Sequence, residues 1–335
     1  MNLTVTAGAP CSAIMGIGGY RPRRVVDNAE ICTLIDSSDE WIRTRSGIIE
    51  RRWASEDETI QMMSVSAARK ALDRASVEPA QIDTVIVSTV THLYQTPAVA
   101  TTIASELGAT GAAAFDISAA CAGFCYAAAM ADSFIRTGAS KYALIIGVER
   151  LSDITNKHDR STAFLFADGA GAAVIGPSDQ PGIGPVVWGS DGEQAPLIQQ
   201  TRPWDRAMDA AEGGKAEWPT LRMDGNPVFK WAAYTMAKTA AEALDAAGLS
   251  PDDLDVFVPH QANMRITDAM FKALKLPEKV VVGRDIAYQG NSSAASIPLA
   301  IETLLESGEA KTGQTCLIIG FGAGLVYAGQ VIVLP

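Results

Sequence analysis

The segment ALDRASVEPAQID, residues 71–83, has a counterpart in ALDAAGLSPDDLD, residues 243–255. The two segments lie 172 residues apart, and six of their thirteen positions are identical. In each copy the sequence indicates the end of a helix, a turn that contains proline, and then an apolar strand. LIIG also occurs twice, at 144–147 and at 317–320, with an offset of 173 residues. Two matches at nearly one offset, close to half of the 335 residues, predict an internal duplication.

The duplication divides the chain into two predicted halves, residues 1–175 and 176–335. In both halves, short apolar runs such as TVIVS, ALIIG and VFV are bounded by turn residues, which is typical of strands that helices cover on both faces. The alanine-rich segments between these runs are predicted to be helices. We therefore expect an α/β protein with two doubly covered sheets packed together, and a site where the two halves meet.

Two segments depart from this pattern. FADGAGAAV, residues 166–174, predicts a strand, a turn and a second strand. Residues 189–223 contain glycine, proline, aspartate and scattered tryptophan without a clear period, and they predict a long loop. Such a loop is either functional or interfacial, or a simple surface insertion, and the sequence leaves both interpretations open.

Composition and charge argue against several classes of protein. The net charge of −11 disfavours a general nucleic-acid role, so an acidic partner would need a local basic patch. No apolar run approaches the ~18–20 residues that a membrane span needs. The N-terminus has no basic residue before its apolar part, unlike a secretory signal. Five cysteines in a chain of this length do not make a disulfide framework, and we expect a protein of the reducing cytoplasm.

The segment DISAACAGFCYA, residues 116–127, surrounds two cysteines with alanine and glycine. AAAFDI predicts a strand and the residues from Cys121 onward predict a helix, so Cys121 is expected at the helix start. Unpaired amides and the helix dipole at that point favour a thiolate and are expected to lower the thiol pKa. Small neighbours would leave the sulfur open to an acyl group. Cys125, one turn further along, is expected to be buried and inert, and a purely structural role for Cys121 is the alternative.

The repeat places a second helix start beside the first. The repeat offset carries residues 119–124 onto NSSAAS, residues 291–296. His260 follows an apolar run at its carboxyl end, where the ligands of such sheets collect. The other two histidines, His92 and His158, are interpreted as ordinary loop residues. Because no second Cys/His pair at ligand spacing accompanies the cysteines, no metal site is expected.

GFGAGL, residues 320–325, has the glycine spacing of a dinucleotide-binding loop only superficially. A predicted strand, VYAGQVIV, follows it where such a fold requires a helix. The segment is therefore interpreted either as a tight turn or as a loop whose backbone amides point at the active site.

Four motifs in this order, FDISAACAGF, VPHQANMR, GNSSAASIP and GFGAGL, closely resemble those of 3-oxoacyl-[acyl-carrier-protein] synthase III. This is the condensing enzyme that initiates fatty-acid synthesis, and its close relatives start aromatic polyketides. SSDEWIRTRSGI near the N-terminus also matches, and the resemblance runs from about residue 12 to the end of the chain. It implies the thiolase fold, a duplicated five-layer α/β/α/β/α structure, in agreement with the internal repeat.

The resemblance places the catalytic residues of the family on Cys121, His260 and Asn291. It implies that Cys121 takes an acyl group from acyl-CoA by nucleophilic attack. Malonyl-acyl carrier protein would then lose carbon dioxide while His260 and Asn291 donate hydrogen bonds to the thioester oxygen of the enolate. The enolate carbon would attack the acyl-cysteine and give 3-oxoacyl-carrier protein. Acyl-CoA and malonyl-acyl carrier protein are the two substrates, and no cofactor or metal is expected.

The same resemblance assigns a second oxyanion hole and the acyl pocket. The amide of Cys121 and an amide of GFGAGL, at Gly322 or Ala323, would form the hole, and Ala323 stands where the family commonly has glycine. Phe321 would border the active site. Thr96 matches a position that caps the acyl pocket across a homodimer interface, and its small size favours a starter that is larger than acetyl or branched.

The resemblance also implies a binding site for coenzyme A. The adenine would stack on Trp41, and its phosphates would meet Arg45 and Arg160. Asn263 and Ser37 are weaker candidates for contacts with the pantetheine channel and the nucleotide rim.

A basic cluster follows His260 in a chain that is acidic as a whole. ANMRITDAMFKALKLPEK predicts a helix with Arg265 and Lys272 on one face and with Lys275 and Lys279 close by. A solvated surface helix is the simple interpretation. Because the net charge of the chain is −11, we predict instead that this cluster is a docking site for the acidic carrier protein.

Two alternatives to condensation stay open. One is a thiolase-fold acyltransferase without condensation, against which Asn291 argues, since plain transfer needs no enolate. The other is a catalytically silent partner subunit, against which Cys121 argues. Chalcone-synthase-like enzymes also use Cys, His and Asn, but VPHQAN and SSDEWI match synthase III better. The sequence names neither the starter acyl group nor the pathway, fatty acid or polyketide.

Overall fold

The computed structural model describes residues 3–4, 6–207 and 218–335. Within these residues the strands are β1 (Cys11–Tyr20), β2 (Arg24–Asp27), β3 (Glu50–Trp53), β4 (Thr84–Ser88), β5 (Ala113–Ile117), β6 (Ala143–Arg150), β7 (Asp168–Ser178), β8 (Val187–Ser190), β9 (Ile198–Gln200), β10 (Leu221–Met223), β11 (Val256–Pro259), β12 (Val281–Val282), β13 (Thr315–Gly322) and β14 (Val326–Val333). The helices are α1 (Asn28–Leu34), α2 (Asp39–Ser46), α3 (Ile60–Ala75), α4 (Val99–Leu107), α5 (Gly123–Thr137), α6 (Gly225–Lys230), α7 (Met236–Ala246), α8 (Met264–Ala273), α9 (Ile286–Gln289) and α10 (Ser296–Ser307). None of these helices is long and apolar enough to cross a membrane.

The two larger sheets share one topology. The first has the strand order β1-β7-β6-β4-β5, and the second, from the equivalent edge, has the order β8-β14-β13-β11-β12. In each sheet the first three strands pair antiparallel and the last three pair parallel. β4 begins at Thr84 and β11 at Val256, which are 172 residues apart like the two copies of the sequence repeat. The predicted duplication is confirmed.

The two sheets and their helices form five layers. α5 and α10 lie between the sheets, where Phe124, Ile135 and Ile301 belong to one core with strands of both sheets. α3 and α4 cover the other face of the first sheet, and α7 and α8 cover the other face of the second. Because the strands are buried on both faces, their sequences are continuous apolar runs. The predicted α/β/α/β/α arrangement is confirmed.

Helix caps fix the elements that lie nearest the site. The Ser38 hydroxyl accepts the N–H of Trp41 and begins α2, which ends at Gly47 with a left-handed φ of 80°. The Asn263 side chain accepts the N–H of Arg265 and begins α8. Both caps use residue types that helix ends prefer, so short local sequences determine where these two helices start.

The prediction of two strands joined by a turn in FADGAGAAV is wrong. Residues 168–178 form one strand, β7, which pairs with β1 on one side and with β6 on the other. Its glycines allow close packing and make no turn, since a Cβ on Gly171 would lie 2.5 Å from Cγ of Pro298 in α10. Because β7 continues to Ser178, the predicted division between residues 175 and 176 falls inside this strand.

Residues 189–223 are more ordered than the predicted loop. β8 pairs with β14, a 3₁₀ helix spans residues 192–197, and β9 and β10 form an antiparallel pair. Residues 208–217 of this segment lie outside the described residues. Three residues of this segment, Ile198, Gln200 and Leu221, line the cavity that contains the candidate site. The segment is therefore part of that site and more than a surface insertion.

Candidate active site

Cys121 lies at the start of the helix layer between the two sheets. A 3₁₀ turn at Ala120–Ala122 follows β5, and α5 begins at Gly123. This glycine allows close packing, because a Cβ on it would lie 1.6 Å from the Ser88 hydroxyl oxygen. Cys125 is fully buried in the central core. Both cysteines therefore occupy the positions that the sequence predicts.

The expectation of a lowered pKa for the Cys121 thiol is wrong. Burial raises the pKa of Cys121 to about 12, the Ser293 hydroxyl opposes this rise, and the charge of Glu149 adds to it. The side chain is partly accessible from the cavity, but the packed walls around it remove most of the water that would solvate a thiolate. This desolvation outweighs the effect of the helix start. Cys121 therefore rests as a thiol near neutral pH, and its proton must be removed when it reacts.

Asn291 joins the second helix start to the first half of the chain. Its N–H donates to the Leu165 carbonyl, and its own carbonyl accepts the N–H of Ala167. The side-chain Oδ1 accepts the N–H of Ser293 at 2.9 Å. Since a backbone N–H can only donate, the oxygen of the Asn291 amide must face it, and Nδ2 is left as the donor.

His260 is almost fully buried directly after β11. Its Nδ1 lies 2.8 Å from the Ser296 hydroxyl, which also accepts the N–H of Gln261 at 3.2 Å. This hydroxyl can donate its own proton to Nδ1 while it accepts from Gln261, and in that tautomer Nε2 carries the ring proton. Burial lowers the pKa of His260 to about 3, so the imidazole is neutral near pH 7. With Nδ1 as acceptor, the neutral His260 ring has Nε2–H available as a donor.

The predicted oxyanion loop lies against the cysteine turn. A Cβ on Gly320 would lie 2.8 Å from Cα of Ala122, and a Cβ on Gly322 would lie 2.9 Å from Sγ of Cys121. Glycine is needed at both positions because backbone from one half of the chain approaches backbone from the other. Ala323, the next residue, also lines the cavity.

Phe321 forms an aromatic wall beside the histidine. Its ring meets the His260 ring edge to face with centroids 5.4 Å apart, and it meets Trp231 in the same manner at 6.1 Å. Trp231 begins a π-helical segment that connects α6 to α7. This segment places a bulky side chain at the cavity wall, as π-helical turns at functional sites commonly do.

A cavity of about 830 Å³ brings most of the predicted site residues together. Its volume lies within the range of ~300–1,000 Å³ that is common for ligand sites. The predicted residues in its wall are Trp41, Arg45, Cys121, His260, Asn263, Arg265, Asn291, Phe321, Gly322 and Ala323. Both halves of the chain contribute to this wall, as the duplicated topology requires.

A cationic and aromatic cluster forms another part of the site. The guanidinium carbons of Arg160 and Arg45 lie 4.6 Å and 5.8 Å from the centroid of the Trp41 ring. Trp41 packs edge to face on Phe164, and Nδ2 of Asn263 donates to the Arg45 carbonyl at 3.0 Å. Four of the five residues predicted to contact coenzyme A are therefore neighbours.

Among the residues predicted to contact coenzyme A or the acyl group, those outside the cavity wall are Ser37, Thr96 and Arg160, which lies over the Trp41 ring. The Ser37 hydroxyl is buried and has no hydrogen-bond partner among the described residues. Thr96 is exposed on the surface of the single chain, next to Tyr94, which is 73% exposed. A role for Thr96 in the acyl pocket would depend on a partner subunit, and it stays a prediction.

The predicted docking cluster is exposed. Arg265 lies in the cavity wall, with its guanidinium carbon 5.0 Å from the centroid of the Phe229 ring. Lys272 and Lys275 are exposed outside the cavity, and the amine of Lys279 donates to the Asp252 carbonyl. The predicted helix is α8, so Arg265 and Lys272 lie two turns apart along it.

Sequence reasoning missed two residues beside the nucleophile. Glu149 is fully buried at the carboxyl end of β6, where its carboxylate accepts from the Thr91 hydroxyl at 2.6 Å. Ser293 lies in the cavity wall, in the turn before α10. A glutamate directly after the apolar run ALIIGV, at the strand end where ligands collect, is a signal that could have identified Glu149. His92, interpreted as an ordinary loop residue, also lies in the cavity wall.

Two family models match the chain. One, described as 3-Oxoacyl-[acyl-carrier-protein (ACP)] synthase III, covers residues 115–192 and includes Cys121. The other, described as 3-Oxoacyl-[acyl-carrier-protein (ACP)] synthase III C terminal, covers residues 244–334 and includes His260 and Asn291.

Relatives match over almost the whole chain. Beta-ketoacyl-[acyl-carrier-protein] synthase III of Streptomyces glaucescens is 59% identical over 328 residues, which are 98% of each chain. The solved structure of the priming beta-ketosynthase from the R1128 polyketide biosynthetic pathway is 50% identical, with a TM-score of 0.96 over 100% of this chain and 99% of the other. The synthase III structure from Aquifex aeolicus VF5 is 39% identical, with a TM-score of 0.87 over 96% and 99%. With its duplicated five-layer fold, the chain belongs to the beta-ketoacyl-[acyl-carrier-protein] synthase III family, the thiolase-fold acyltransferases that carry out the initiating condensation of fatty-acid or polyketide biosynthesis.

Proposed function

We propose that this enzyme joins an acyl-CoA starter to malonyl-acyl carrier protein by decarboxylative Claisen condensation, through an acyl-Cys121 intermediate. One observation carries the proposal: Asn291, whose Nδ2 is left as a donor, and the neutral His260, bonded at Nδ1 to Ser296, both line the cavity of the nucleophile. Plain acyl transfer needs a nucleophile and one oxyanion hole, whereas an enolate needs further donors. Residues able to take both roles line this cavity, which supports condensation over plain transfer.

In the first half-reaction the Cys121 sulfur attacks the thioester carbon of acyl-CoA. The proton of the cysteine thiol is transferred, coenzyme A leaves as a thiol, and the acyl group remains on Cys121. We assign the carbonyl oxygen to a hole formed by the backbone N–H groups of Cys121 and Ala323. The close approach of Gly322 to the cysteine supports this assignment, and alanine at position 323 keeps the N–H that the role requires.

In the second half-reaction the thioester oxygen of malonyl-carrier protein accepts hydrogen bonds from Nε2 of His260 and Nδ2 of Asn291. Carbon dioxide leaves, and the electron pair of the broken carbon–carbon bond forms the enolate. The enolate carbon then attacks the acyl carbon on Cys121, whose sulfur leaves and regains a proton. Each preorganised donor typically contributes ~3–4 kcal/mol to such a step. Because burial keeps His260 neutral, this residue can act as a hydrogen-bond donor without holding a charge.

The cluster around Trp41 is proposed to hold the nucleotide end of coenzyme A. The indole would stack on adenine, and the guanidinium groups of Arg45 and Arg160 would meet phosphate oxygens. The short distances between these groups support the proposal. Asn263 would lie along the pantetheine arm, and Ser37, outside the cavity wall, is the weakest candidate.

The acidic carrier protein is proposed to dock on α8 through Arg265, Lys272 and Lys275. All three side chains are exposed, and Arg265 also lines the cavity, so the basic cluster adjoins the catalytic space. The basic surface would attract an acidic carrier protein, whereas the rest of this chain, whose net charge is −11, would repel it.

A homodimer is proposed in which Thr96 of one subunit caps the acyl pocket of the other. The apolar side chains beside it, Leu93 and Tyr94, are 45% and 73% exposed in the single chain, which supports a protein contact there. A threonine at the cap leaves room for a starter that is larger than acetyl or branched. We also propose a cytoplasmic enzyme that needs no cofactor beyond its two substrates, and its five free cysteines support a reducing compartment.

Mass spectrometry after incubation with acetyl-, isobutyryl- and hexanoyl-CoA tests the first half-reaction. We expect one acyl group on Cys121, assigned by fragment ions, and none in Cys121→Ala. Cys125→Ala, which changes the other cysteine of the same helix start, is the matched control and should label normally. Addition of malonyl-carrier protein should then release carbon dioxide and form 3-oxoacyl-carrier protein. Acyl transfer to another acceptor without carbon dioxide release would favour a plain acyltransferase, and absence of labelling would favour a silent subunit.

A further inference from the structure

Glu149 is a buried carboxylate behind the cavity wall, bonded to Thr89 and Val90, which line the cavity, and the proposed condensation has no role for it. Its side chain has no exposed surface. Its oxygens accept from the Thr91 hydroxyl at 2.6 Å, from the Val90 N–H at 3.2 Å and from the Thr89 hydroxyl at 3.4 Å. These donors are all neutral, and none of the ion pairs found within the described ranges involves Glu149. Burying a carboxylate without a cation is costly, so its presence at the active site calls for an explanation.

Ser293 lies in the turn before α10, which packs against β6, the strand of Glu149, and against the start of α5, next to Cys121. A Cβ on Gly147 of β6 would lie 2.2 Å from the Ala294 carbonyl oxygen, and a Cβ on Gly123 would lie 3.7 Å from Cβ of Ala294. The hydroxyl of Ser293 is buried and makes no hydrogen bond of ordinary geometry with any other described residue. The Ser293 hydroxyl lowers the pKa of both Cys121 and Glu149, in keeping with this packing. Ser293 has a left-handed φ of 49°, and its backbone N–H donates to Oδ1 of Asn291. An unpartnered hydroxyl on this turn can accept a proton from a thiol and donate its own to a carboxylate.

We propose that Glu149 accepts the proton of Cys121 through the Ser293 hydroxyl during acyl transfer. As the sulfur forms its bond to the thioester carbon, the S–H proton passes to Oγ of Ser293, and the hydroxyl proton of Ser293 passes to the Glu149 carboxylate. When the bond from carbon to the coenzyme A sulfur breaks, a proton returns along the same path to that sulfur. After the step the proton of Cys121 is on the coenzyme A thiol, and Ser293 and Glu149 have the protonation states with which they began. This inference deepens the proposed function and rests on it.

The titration of Glu149 supports this path. Burial raises the pKa of Glu149 to about 7, against the opposing effects of Thr91, Val90, Ser293 and Thr89. A carboxyl group with a pKa near 7 can both take and release a proton at neutral pH. The four groups that act on it are hydroxyls and one amide, and Cys121 is the titratable group whose own pKa responds to the Glu149 charge.

The sign of the effect separates this path from simple electrostatics. The negative charge of Glu149 raises the pKa of the Cys121 thiol. If Glu149 acted by its charge alone, Glu149→Gln would ionise the thiol more easily and speed acylation. If Glu149 accepts the proton, the same substitution slows acylation. Ser293→Ala interrupts the path without changing the charge, so it should slow acylation as well.

The experiment measures single-turnover acylation of Cys121 against pH, with whichever of acetyl-, isobutyryl- and hexanoyl-CoA acylates the wild-type enzyme fastest. We expect Glu149→Gln and Ser293→Ala to acylate about 10²-fold or more slowly at pH 7, the usual effect of a lost general base. The wild-type rate should level off above the Glu149 pKa of about 7. In both variants the rate should keep rising about tenfold per pH unit, because only the thiolate then reacts.

Ser292→Ala is the matched control. Ser292 is the adjacent residue, and its hydroxyl is also buried without a partner among the described residues. This variant should keep the wild-type profile. Faster acylation of Glu149→Gln, a loss by one constant factor at every pH, a wild-type profile in Ser293→Ala, or an equal loss in Ser292→Ala would each overturn the proton path. If wild-type Cys121 takes no acyl group at all, the proposed function fails first and the proton path fails with it.

Discussion

A Cβ built on Gly322 would lie 2.9 Å from Sγ of Cys121 and 3.0 Å from its backbone nitrogen. Gly322 ends β13 in the second half of the chain, and Cys121 lies in the turn before α5 in the first half. The nucleophile is therefore seated against backbone that comes from the other copy of the duplicated unit. The contact between Cys121 and Gly322 therefore exists only when the two halves are packed together.

Gly322→Ala should damage acylation of Cys121. The added methyl group overlaps the sulfur, so either the cysteine turn or the end of β13 must shift, typically at a stability cost of ~1–3 kcal/mol. We expect acyl-enzyme formation to slow at least about tenfold, since small displacements at a reacting atom are costly. Gly329→Ala on β14 is the matched control, because its Cβ would lie 3.5 Å from the nearest atom, Cβ of Ala243. Acylation at the wild-type rate in Gly322→Ala would show that the cysteine does not depend on this close approach.

Asn291→Ala should separate acylation from condensation. The variant keeps Cys121 and its backbone amides, so acyl-Cys121 should form at a near-normal rate. Its condensation rate should fall by about 10²-fold or more, the usual effect of losing one preorganised donor. His260→Ala should lose at least as much. The measurement is carbon dioxide release from malonyl-carrier protein beside the mass of the acyl-enzyme, and normal release in Asn291→Ala would refute the decarboxylating mechanism.

Ser296→Ala should weaken condensation through His260. The hydroxyl lies 2.8 Å from Nδ1, and by donating to it would keep the ring proton on Nε2. Without it the ring can adopt the other tautomer, and we expect condensation to fall about tenfold, for a cost of ~1.4 kcal/mol, while acylation stays normal. Ser307→Ala, an exposed serine at the end of the same helix, is the control. Equal losses in acylation and condensation would mean that Ser296 supports the whole site and not the histidine tautomer.

His260 should also make stability depend on pH. Burial lowers its pKa from 6.5 to about 3, so between these values the unfolded chain binds a proton that the folded chain does not. The contribution of His260 to the free energy of unfolding is full above 6.5 and falls as the pH is lowered, by at most ~1.4 kcal/mol per pH unit. His260→Gln removes this titration, so its stability should fall less steeply than that of the wild type between about pH 6 and pH 4. Parallel curves from chemical denaturation would contradict the lowered pKa.

Charge reversal on α8 should affect the carrier protein and spare coenzyme A. We expect Arg265→Glu with Lys272→Glu to raise the KM for malonyl-carrier protein several-fold, more strongly at low salt, because the attraction is electrostatic. Acylation by acyl-CoA should be unchanged. Lys311→Glu, at an exposed lysine after α10, makes a similar change elsewhere and should leave the KM as it is. An unchanged KM in the double variant would count against α8 as the docking surface.

The sequence alone determined the architecture and the positions of the nucleophile and its partners. The copies at 71–83 and 243–255 imply equal halves, and the continuous apolar runs imply strands covered on both faces. Small residues around Cys121, and again after Asn291, mark two helix starts that a duplicated fold must bring together. These features can be recognised in the sequence because burial and close packing restrict the residue types allowed at each position.

Only the tertiary structure decided the chemistry of the groups inside the cavity. The sequence predicts a lowered pKa for Cys121 from the helix start, but burial by both halves raises that pKa to about 12. The glycines of FADGAGAAV indicate a turn, but they lie in a strand that α10 approaches closely. From the sequence Glu149 is only the end of a strand, but in the fold the turn that contains Ser293 packs against that strand. Desolvation and the choice of hydrogen-bond partner depend on which distant residues pack around a group, and no local stretch of sequence contains that information.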